Sequence, residues 1–170
     1  DIYTELIKMP FDGIGLDFIE GKETESFVEK YGFPKDKLLF AGLVNGKNIW
    51  KNHYAKTLET VKNLQKKDID VVLSTSCSLQ HVPYTLKHET KLTEEYTKYF
   101  AFAEEKLEEL KELSVLADKK DYQSDAAYQK NAALFAGGRD CENEEVKNRL
   151  SGVTKEDYVR LPKRSERCLL

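Results

Sequence analysis

The stretch LLFAGLV at Leu38–Val44 is apolar along its whole length, without the alternation of a half-exposed strand, and Asn45-Gly46 closes it as a turn. Two further apolar runs lie on either side of it, at Gly13–Ile19 and at Asp70–Thr75. Strands that are apolar on both faces are typical of a parallel sheet covered by helices. The three runs therefore predict three parallel β-strands.

Helical patterns connect these runs and follow them. Thr24–Tyr31, which Thr24 can cap and Gly32 can end, lies between the first two runs. A longer helix from Asn48 to about Lys66 lies between the last two. The sequence predicts further helices at Asp1–Met9, Leu92–Ala117, Asp121–Ala136, Asn143–Leu150 and Arg164–Leu170, and a capped turn at Thr154–Tyr158.

Strands that alternate with helices in this order are typical of a parallel βαβαβ unit. The predicted fold class is α/β, with three parallel strands of a partial (β/α)8 TIM-type barrel followed by several helices. A complete barrel rarely has fewer than about 200 residues, so a chain of 170 residues cannot close one. We assign residues 1–88 to the last βα units of an incomplete barrel, and residues 89–170 to a helical segment that packs on it.

The composition argues against several classes of protein. With 27 basic and 30 acidic side chains the formal charge is −3, whereas a protein that binds nucleic acid needs a basic face. No apolar run approaches the roughly 18–20 residues that span a membrane, and no signal peptide is visible. The three cysteines are widely spaced, which favours reduced thiols in the cytoplasm over disulfides. Because the first residue is Asp rather than Met, we expect a fragment of a longer protein.

The segment Ser74–His81, at the carboxyl end of the third strand, holds the most reactive side chains, and α/β folds place their sites there. Cys77 and His81 fit a thiol nucleophile with its base, or a metal position. Alternatively, the hydroxyls and the thiol only cap the ends of strands and helices. We favour this structural role, because spacing cannot supply the mutual geometry of a nucleophile and a base. His81 and His88 lack the further ligands of a zinc site, so we expect no metal on this chain alone.

Two further polar residues are expected at the carboxyl ends of the other two strands. Asp17 lies at the end of the first strand and Asn45 follows the second, so an acid, an amide and the Cys77 thiol are expected on one rim. Asp and Asn are also common at strand ends, where their side chains bond to the local backbone. Both roles, contact with a substrate and support of the backbone, stay open for Asp17 and Asn45.

Three phrases of the sequence are more specific than a general α/β pattern: Gly15–Gly21 (GLDFIEG), Ala41–Trp50 (AGLVNGKNIW) and Ser76–Pro83 (SCSLQHVP). In this order they resemble the amino-terminal barrel of cobalamin-independent methionine synthase. The resemblance covers nearly the whole chain, because it continues at Glu89–Leu92, Phe100–Ala103 and Leu161–Arg164.

The resemblance implies an enzyme of methionine biosynthesis that transfers a methyl group from methyltetrahydrofolate, in its polyglutamate form, to homocysteine. Members of the family have two α/β barrels, and the second binds zinc through His, Cys, Glu and Cys. The zinc keeps the sulfur of homocysteine as a thiolate, which is the competent nucleophile. This chain contains neither the zinc motif nor the basic folate contacts of the family. We therefore assign it no catalytic, substrate-binding or metal-binding residue, and Cys77 is at best a relic position.

The resemblance thus implies a fragment of the amino-terminal domain of a cytoplasmic methyltransferase, inactive alone, whose helical segment leads toward the missing second barrel. Two alternatives remain: a stand-alone α/β interaction module without enzyme relatives, and a thiol enzyme that uses Cys77 and His81. Three strands cut from a barrel leave two unpaired edges and one apolar face. We expect the piece to cover them by self-association, or by folding its carboxyl-terminal helices across the sheet.

Overall fold

The structure, a computed structural model, describes residues 2–137 and 143–159 of the chain. The chain forms two compact units, Asp1–Ala136 and Gly137–Leu170, and the first contains the whole sheet. Among the described residues, no helix combines the length and the apolar character that crossing a membrane requires.

The sheet consists of β1 (Gly13–Asp17), β2 (Leu38–Val44) and β3 (Asp70–Thr75), in the order β1-β2-β3. Both pairs of neighbouring strands are parallel, which confirms the predicted α/β class. The first strand ends at Asp17, two residues earlier than expected. Its carboxylate Oδ1 accepts hydrogen bonds from the backbone N–H groups of Ile19 and Glu20, and these bonds turn the chain out of the sheet.

The first unit has six α-helices, at Ile2–Leu6 (α1), Thr24–Tyr31 (α2), Tyr54–Gln65 (α3), Glu94–Thr97 (α4), Ala103–Asp118 (α5) and Ala126–Ala136 (α6). Short 3-10 turns lie at Leu79–His81, Leu86–His88 and Tyr122–Ser124. In the second unit the described elements are α7 (Glu144–Ser151) and a 3-10 turn at Glu156–Tyr158.

The core lies on one side of the sheet only. Leu39 and Ala41 of β2 are fully buried, whereas Leu38 and Phe40, which alternate with them, are 36% and 40% exposed. The buried side chains of the crossover helices and of α5 join Leu39 and Ala41 in a single cluster, with Val28 from α2, Leu58 and Val61 from α3, and Leu113 and Leu116 from α5. A doubly wound sheet carries helices on both faces, whereas a barrel wall carries them only outside. The sheet is therefore consistent with part of a barrel.

The predicted helix from Asn48 is wrong at its start, because α3 begins at Tyr54. Residues 49–51 are extended and pair with residues 99–101 through an isolated antiparallel bridge between Trp50 and Phe100. The backbone N–H of Ala101 donates to the carbonyl of Ile49 at 2.7 Å, and that of Lys51 donates to the carbonyl of Tyr99 at 2.9 Å. A contact between distant parts of the chain thus overrides the helical pattern of the local sequence.

The same pairing makes the long helix predicted at Leu92–Ala117 wrong, since it separates α4 from α5. Within α5, Leu107 is 56% exposed, whereas Lys106 and Glu109 are buried. The amino end of α5 is fixed by Glu105, whose carboxylate Oε2 accepts a hydrogen bond from the backbone N–H of Phe102 at 3.1 Å.

The remaining helix ends agree with the sequence in part. Gly32 ends α2 with a φ of 74°, as predicted, but the hydroxyl of Thr24 donates to the carbonyl of Asp17 and does not cap the helix. Asn143 caps α7 by accepting hydrogen bonds from the backbone N–H groups of Glu145 and Val146, as predicted. The first helix ends already at Leu6, and the segment predicted as helical at Asp121–Ala136 begins with a 3-10 turn. The helix predicted at Arg164–Leu170 lies outside the described residues.

Candidate functional site

The carboxyl ends of the three parallel strands meet at one edge of the sheet, which we call the rim. It consists of the end of β1 at Asp17, the turn Asn45–Asn48 after β2, and the segment Ser76–Ser78 after β3. The prediction that the acid, the amide and the thiol follow neighbouring strand ends is confirmed by the order β1-β2-β3. The chemistry of the rim depends on whether these side chains are available to a substrate.

Asp17 and Asn45 both bond to the local backbone. Besides its bonds to residues 19 and 20, Asp17 accepts the Thr24 hydroxyl at its backbone carbonyl, at 2.7 Å. The side-chain oxygen of Asn45 accepts hydrogen bonds from the backbone N–H groups of Lys47 and Asn48, at 2.8 and 3.0 Å. Each side chain therefore shapes the turn in which it lies.

The turns after β2 and β3 are tied closely together. The backbone N–H of Ser76 donates to the carbonyl of Val44 at 2.8 Å, and the backbone N–H of Gly46 donates to the Ser76 hydroxyl oxygen at 3.2 Å. A Cβ on Gly46 would lie 2.5 Å from the carbonyl oxygen of Cys77 and 3.0 Å from its sulfur. Only glycine allows this close approach, so Gly46 is required by the packing of the rim.

A charged pair crosses the rim on its exposed side. Lys47 donates a hydrogen bond to the carboxylate of Glu20, which joins the turn after β2 to the turn after β1. This hydrogen bond, with the negative charge of Glu20, raises the pKa of the Lys47 amine. The pair is exposed to solvent, where such ion pairs contribute little to stability.

Cys77 and His81 are close in sequence but do not form a nucleophile and base. The Cys77 thiol is half-buried and donates to the carbonyl of Ser78 at 3.7 Å, while His81 is exposed on a 3-10 turn. Across residues 2–137 and 143–159, no hydrogen bond joins the thiol to the imidazole. The same residues contain no group of three or more His, Cys, Asp or Glu that could hold a metal ion. The described part of the chain therefore lacks a set of ligands for the zinc ion of the family that the sequence resembles.

A second polar cluster, which was not predicted from the sequence, lies between α3, α5 and α6. The side-chain oxygen of Asn131 accepts from the backbone N–H of Tyr54 at 2.9 Å, and its amide donates to the carbonyl of Asn52 at 2.9 Å. The backbone N–H of Asn52 in turn donates to the Glu109 carboxylate Oε1 at 2.9 Å. Lys106 is fully buried and donates to the carbonyl of Trp50 at 3.0 Å.

Burial controls the electrostatics of this cluster. It raises the pKa of the Glu109 carboxyl to about 7, against the opposing effects of the hydrogen bond from Asn52 and the charges of Lys106 and Lys51. Burial also lowers the pKa of the Lys106 amine and raises that of the Tyr54 hydroxyl, which donates to Glu112. Lys106 and Glu109 lie in a helix rich in charged residues, so no local feature of the sequence distinguishes them from its exposed side chains.

The chain is similar to known proteins over nearly its whole length. Residues 1–69 match the family described as cobalamin-independent synthase, N-terminal domain. One relative is the 5-methyltetrahydropteroyltriglutamate–homocysteine methyltransferase of Lactococcus lactis subsp. cremoris (strain SK11), 52% identical over 98% of this chain and 22% of the relative. The protein of the same name from Campylobacter jejuni subsp. jejuni serotype O:23/36 (strain 81-176) is 49% identical over 100% of this chain and 22% of the relative.

These similarities contradict the alternative of a module without enzyme relatives. They also agree with the position of the three phrases, of which Gly15–Gly21 and Ala41–Trp50 lie within the matched residues 1–69. The chain spans about a fifth of the length of the curated relatives, since it covers 22% of each. Residues 1–69 therefore match the amino-terminal domain of the cobalamin-independent synthase family, and the whole chain is similar to a part of the two methyltransferases named above.

Proposed function

We propose that the chain is one arc of the amino-terminal barrel of a methionine synthase that works without cobalamin. The complete polypeptide would transfer a methyl group from 5-methyltetrahydropteroyltriglutamate to homocysteine, the reaction in the names of its relatives. The observation that carries the proposal is the one-sided parallel sheet, whose second face leaves Leu38 and Phe40 partly exposed. Further strands of the same polypeptide would continue this sheet and enclose that face.

Within such an enzyme the described residues would serve as a scaffold. Asp17 and Asn45 bond to the backbone of their own turns, and the Cys77 thiol bonds to the carbonyl of Ser78. Through these hydrogen bonds the side chains hold the loops at the carboxyl ends of the strands in place. We assign the reacting groups to a part of the polypeptide beyond this chain.

The zinc ion implied by the resemblance would bind in that other part. A zinc ion there would hold the sulfur of homocysteine as a thiolate and so make it a competent nucleophile. We also propose a cytoplasmic enzyme, since its free thiol at Cys77 suits a reducing compartment.

The test is an assay of methyl transfer with two proteins: the polypeptide encoded by the complete reading frame, and the 170-residue chain. With 5-methyltetrahydropteroyltriglutamate and homocysteine as substrates, we expect the complete polypeptide to form methionine and to lose this activity when zinc is chelated. The 170-residue chain should form none. Methionine formation by the chain alone, or an inactive complete polypeptide replete with zinc, would refute the proposal.

A further inference from the structure

A cavity of about 260 Å³ lies beside the buried polar cluster, between α3, α5 and α6. Pockets for organic ligands usually measure about 300–1,000 Å³, so this one suits a molecule of only a few heavy atoms. Its lining is mostly charged: Glu105, Glu108, Glu109 and Glu112 from α5, Lys51 and Lys98 from the segments before α3 and α5, and Lys130 from α6.

Glu109 gives this cavity a feature that an ordinary acidic surface lacks. The side chain is only 6% exposed, and one carboxylate oxygen, Oε1, accepts the backbone N–H of Asn52. The other oxygen, Oε2, is buried and has no hydrogen-bond partner in the structure. A buried polar atom without a partner costs about 1–3 kcal/mol. A group held in this way is expected where a ligand supplies the missing partner.

Two carboxylates of the lining already have partners, since Glu105 accepts from the backbone N–H of Phe102 and Glu112 accepts from the Tyr54 hydroxyl. Among the described residues, Lys51, Lys98 and Lys130 form no ion pair within 4.0 Å, although Glu108 and Glu109 line the same cavity. Lys98 and Lys130 are exposed, and the Lys98 amine lies 5.0 Å from the centre of the Tyr99 ring. The cavity thus presents acidic groups along α5 and basic groups on its other walls.

We propose that this cavity binds a small zwitterion of the amino-acid class, with its ammonium group on the free oxygen of Glu109 and its carboxylate among Lys51, Lys98 and Lys130. An ammonium group has three hydrogen-bond donors, and one of them would supply the partner that Glu109 Oε2 lacks. A divalent metal is a poorer fit, because the described residues contain no group of three ligands. The inference is independent of the proposed methyl transfer, since it rests only on the helices outside the sheet.

The experiment uses three probes of similar size that differ in charge: L-alanine, ethylamine, which lacks the carboxylate, and propionate, which lacks the ammonium group. Binding to the 170-residue chain is measured by saturation-transfer NMR at pH 8, where Glu109 is ionised. We expect L-alanine to bind at least about tenfold more tightly than either analogue, since each lost charge-assisted bond is worth about a factor of ten or more.

Two variants assign the binding to the two ends of the cavity. Glu109→Gln keeps the size and the Oε1 acceptor, and Lys130→Gln removes an exposed cation without disturbing the core. Each should weaken binding of L-alanine about tenfold or more, whereas Glu25→Gln, an exposed change on α2, should leave it unchanged. Equal affinity for the three probes, no binding of L-alanine, or binding unaffected by both variants would overturn the proposal.

Discussion

The carboxyl group of Glu109 is the least ordinary feature at the scale of single residues. Burial raises its pKa to about 7, from 4.5 for an exposed glutamate. The charges that face it come from Lys106 and Glu112 of its own helix, and from Lys51 before α3. Lys130 lines the same cavity from α6. Burial affects the pKa of Glu109 more than any of these charges does.

The raised pKa of Glu109 predicts that stability falls as pH rises. Between pH 4.5 and about 7 the unfolded chain has lost the proton of this carboxyl while the folded chain retains it. The free energy of unfolding therefore decreases across this interval, by at most about 3 kcal/mol. We expect Glu109→Gln, which stays neutral, to unfold at nearly the same urea concentration as the parent at pH 4.5 and at a higher one at pH 8.

Glu25→Gln is the matched control for this titration, because Glu25 is exposed on α2. Its difference from the parent should stay within about 0.5 kcal/mol at both pH values. If Glu109→Gln shows the same small and constant difference, the buried carboxyl does not titrate as described.

The Cys77 thiol provides a second prediction at this scale. Because the thiol bonds to Ser78 and not to His81, Cys77→Ser and His81→Ala should leave methionine formation by the complete polypeptide within about twofold of the parent. The measurement is the initial rate with both substrates saturating. A hundredfold or greater loss of rate in either variant would support the alternative of a thiol enzyme that uses Cys77 and His81.

The sequence identifies Asp17, Asn45 and Cys77 as rim residues because strand ends can be recognised from apolar runs and turns. It could not identify Glu109, since a glutamate in a charged helix is normally exposed. In the folded chain Glu109 is bonded to Asn52, 57 positions away, and Asn52 is bonded to Asn131, 79 positions away.

At the scale of elements, Asn131 joins α6 to the amino end of α3. Asn131→Ala would leave the backbone N–H of Tyr54 and the carbonyl of Asn52 without their partner. We expect a loss of about 2–3 kcal/mol in the free energy of unfolding. Asn63→Ala is the control, since Asn63 is exposed on α3, and alanine has the higher helix propensity. Equal stability of the two variants would show that the link does not stabilise the fold.

The rim depends in a similar way on one glycine. Gly46→Ala would place a Cβ 2.5 Å from the carbonyl oxygen of Cys77, so the turns after β2 and β3 must move apart. We expect a loss of about 1–3 kcal/mol, measured by chemical denaturation. Gly15→Ala has ordinary contacts, with Phe40 Cβ at 4.0 Å, and should be nearly neutral. A neutral Gly46→Ala would contradict the close packing of the rim.

The elements themselves were predictable where the signal is local. Strands β2 and β3 and helix α2 have the predicted bounds, because continuous apolar runs and a Gly at a helix end are features of the nearby sequence. The start of α3 and the break between α4 and α5 arise from the pairing of residues 49–51 with residues 99–101. The local sequence around either segment does not show that the two segments pair.

At the scale of the whole molecule, the second face of the sheet remains to be explained. Phe40 is 40% exposed and lies over Gly13, whose added Cβ would be 2.6 Å from the ring. We propose that the 170-residue chain covers this face by self-association. Phe40→Ser should therefore shift the chain toward the monomer in sedimentation velocity at equal concentration.

Leu107→Ser is the matched control for the association experiment. Leu107 is an apolar side chain of similar exposure, 56%, on α5 outside the sheet. It should leave the sedimentation profile of the parent unchanged. A parent chain that is already monomeric, or equal effects of the two substitutions, would show that the sheet face does not drive association.

We propose that the three-stranded sheet is an arc of a larger barrel whose inner face carries Phe40. Labelling of a cysteine at this position tests it most directly. Phe40→Cys is introduced into the complete polypeptide, and its rate of alkylation is followed by peptide mass spectrometry, with unfolded protein as the reference. We expect strong protection of this cysteine in the native complete polypeptide. Alkylation of the native protein as fast as of the unfolded protein would contradict it.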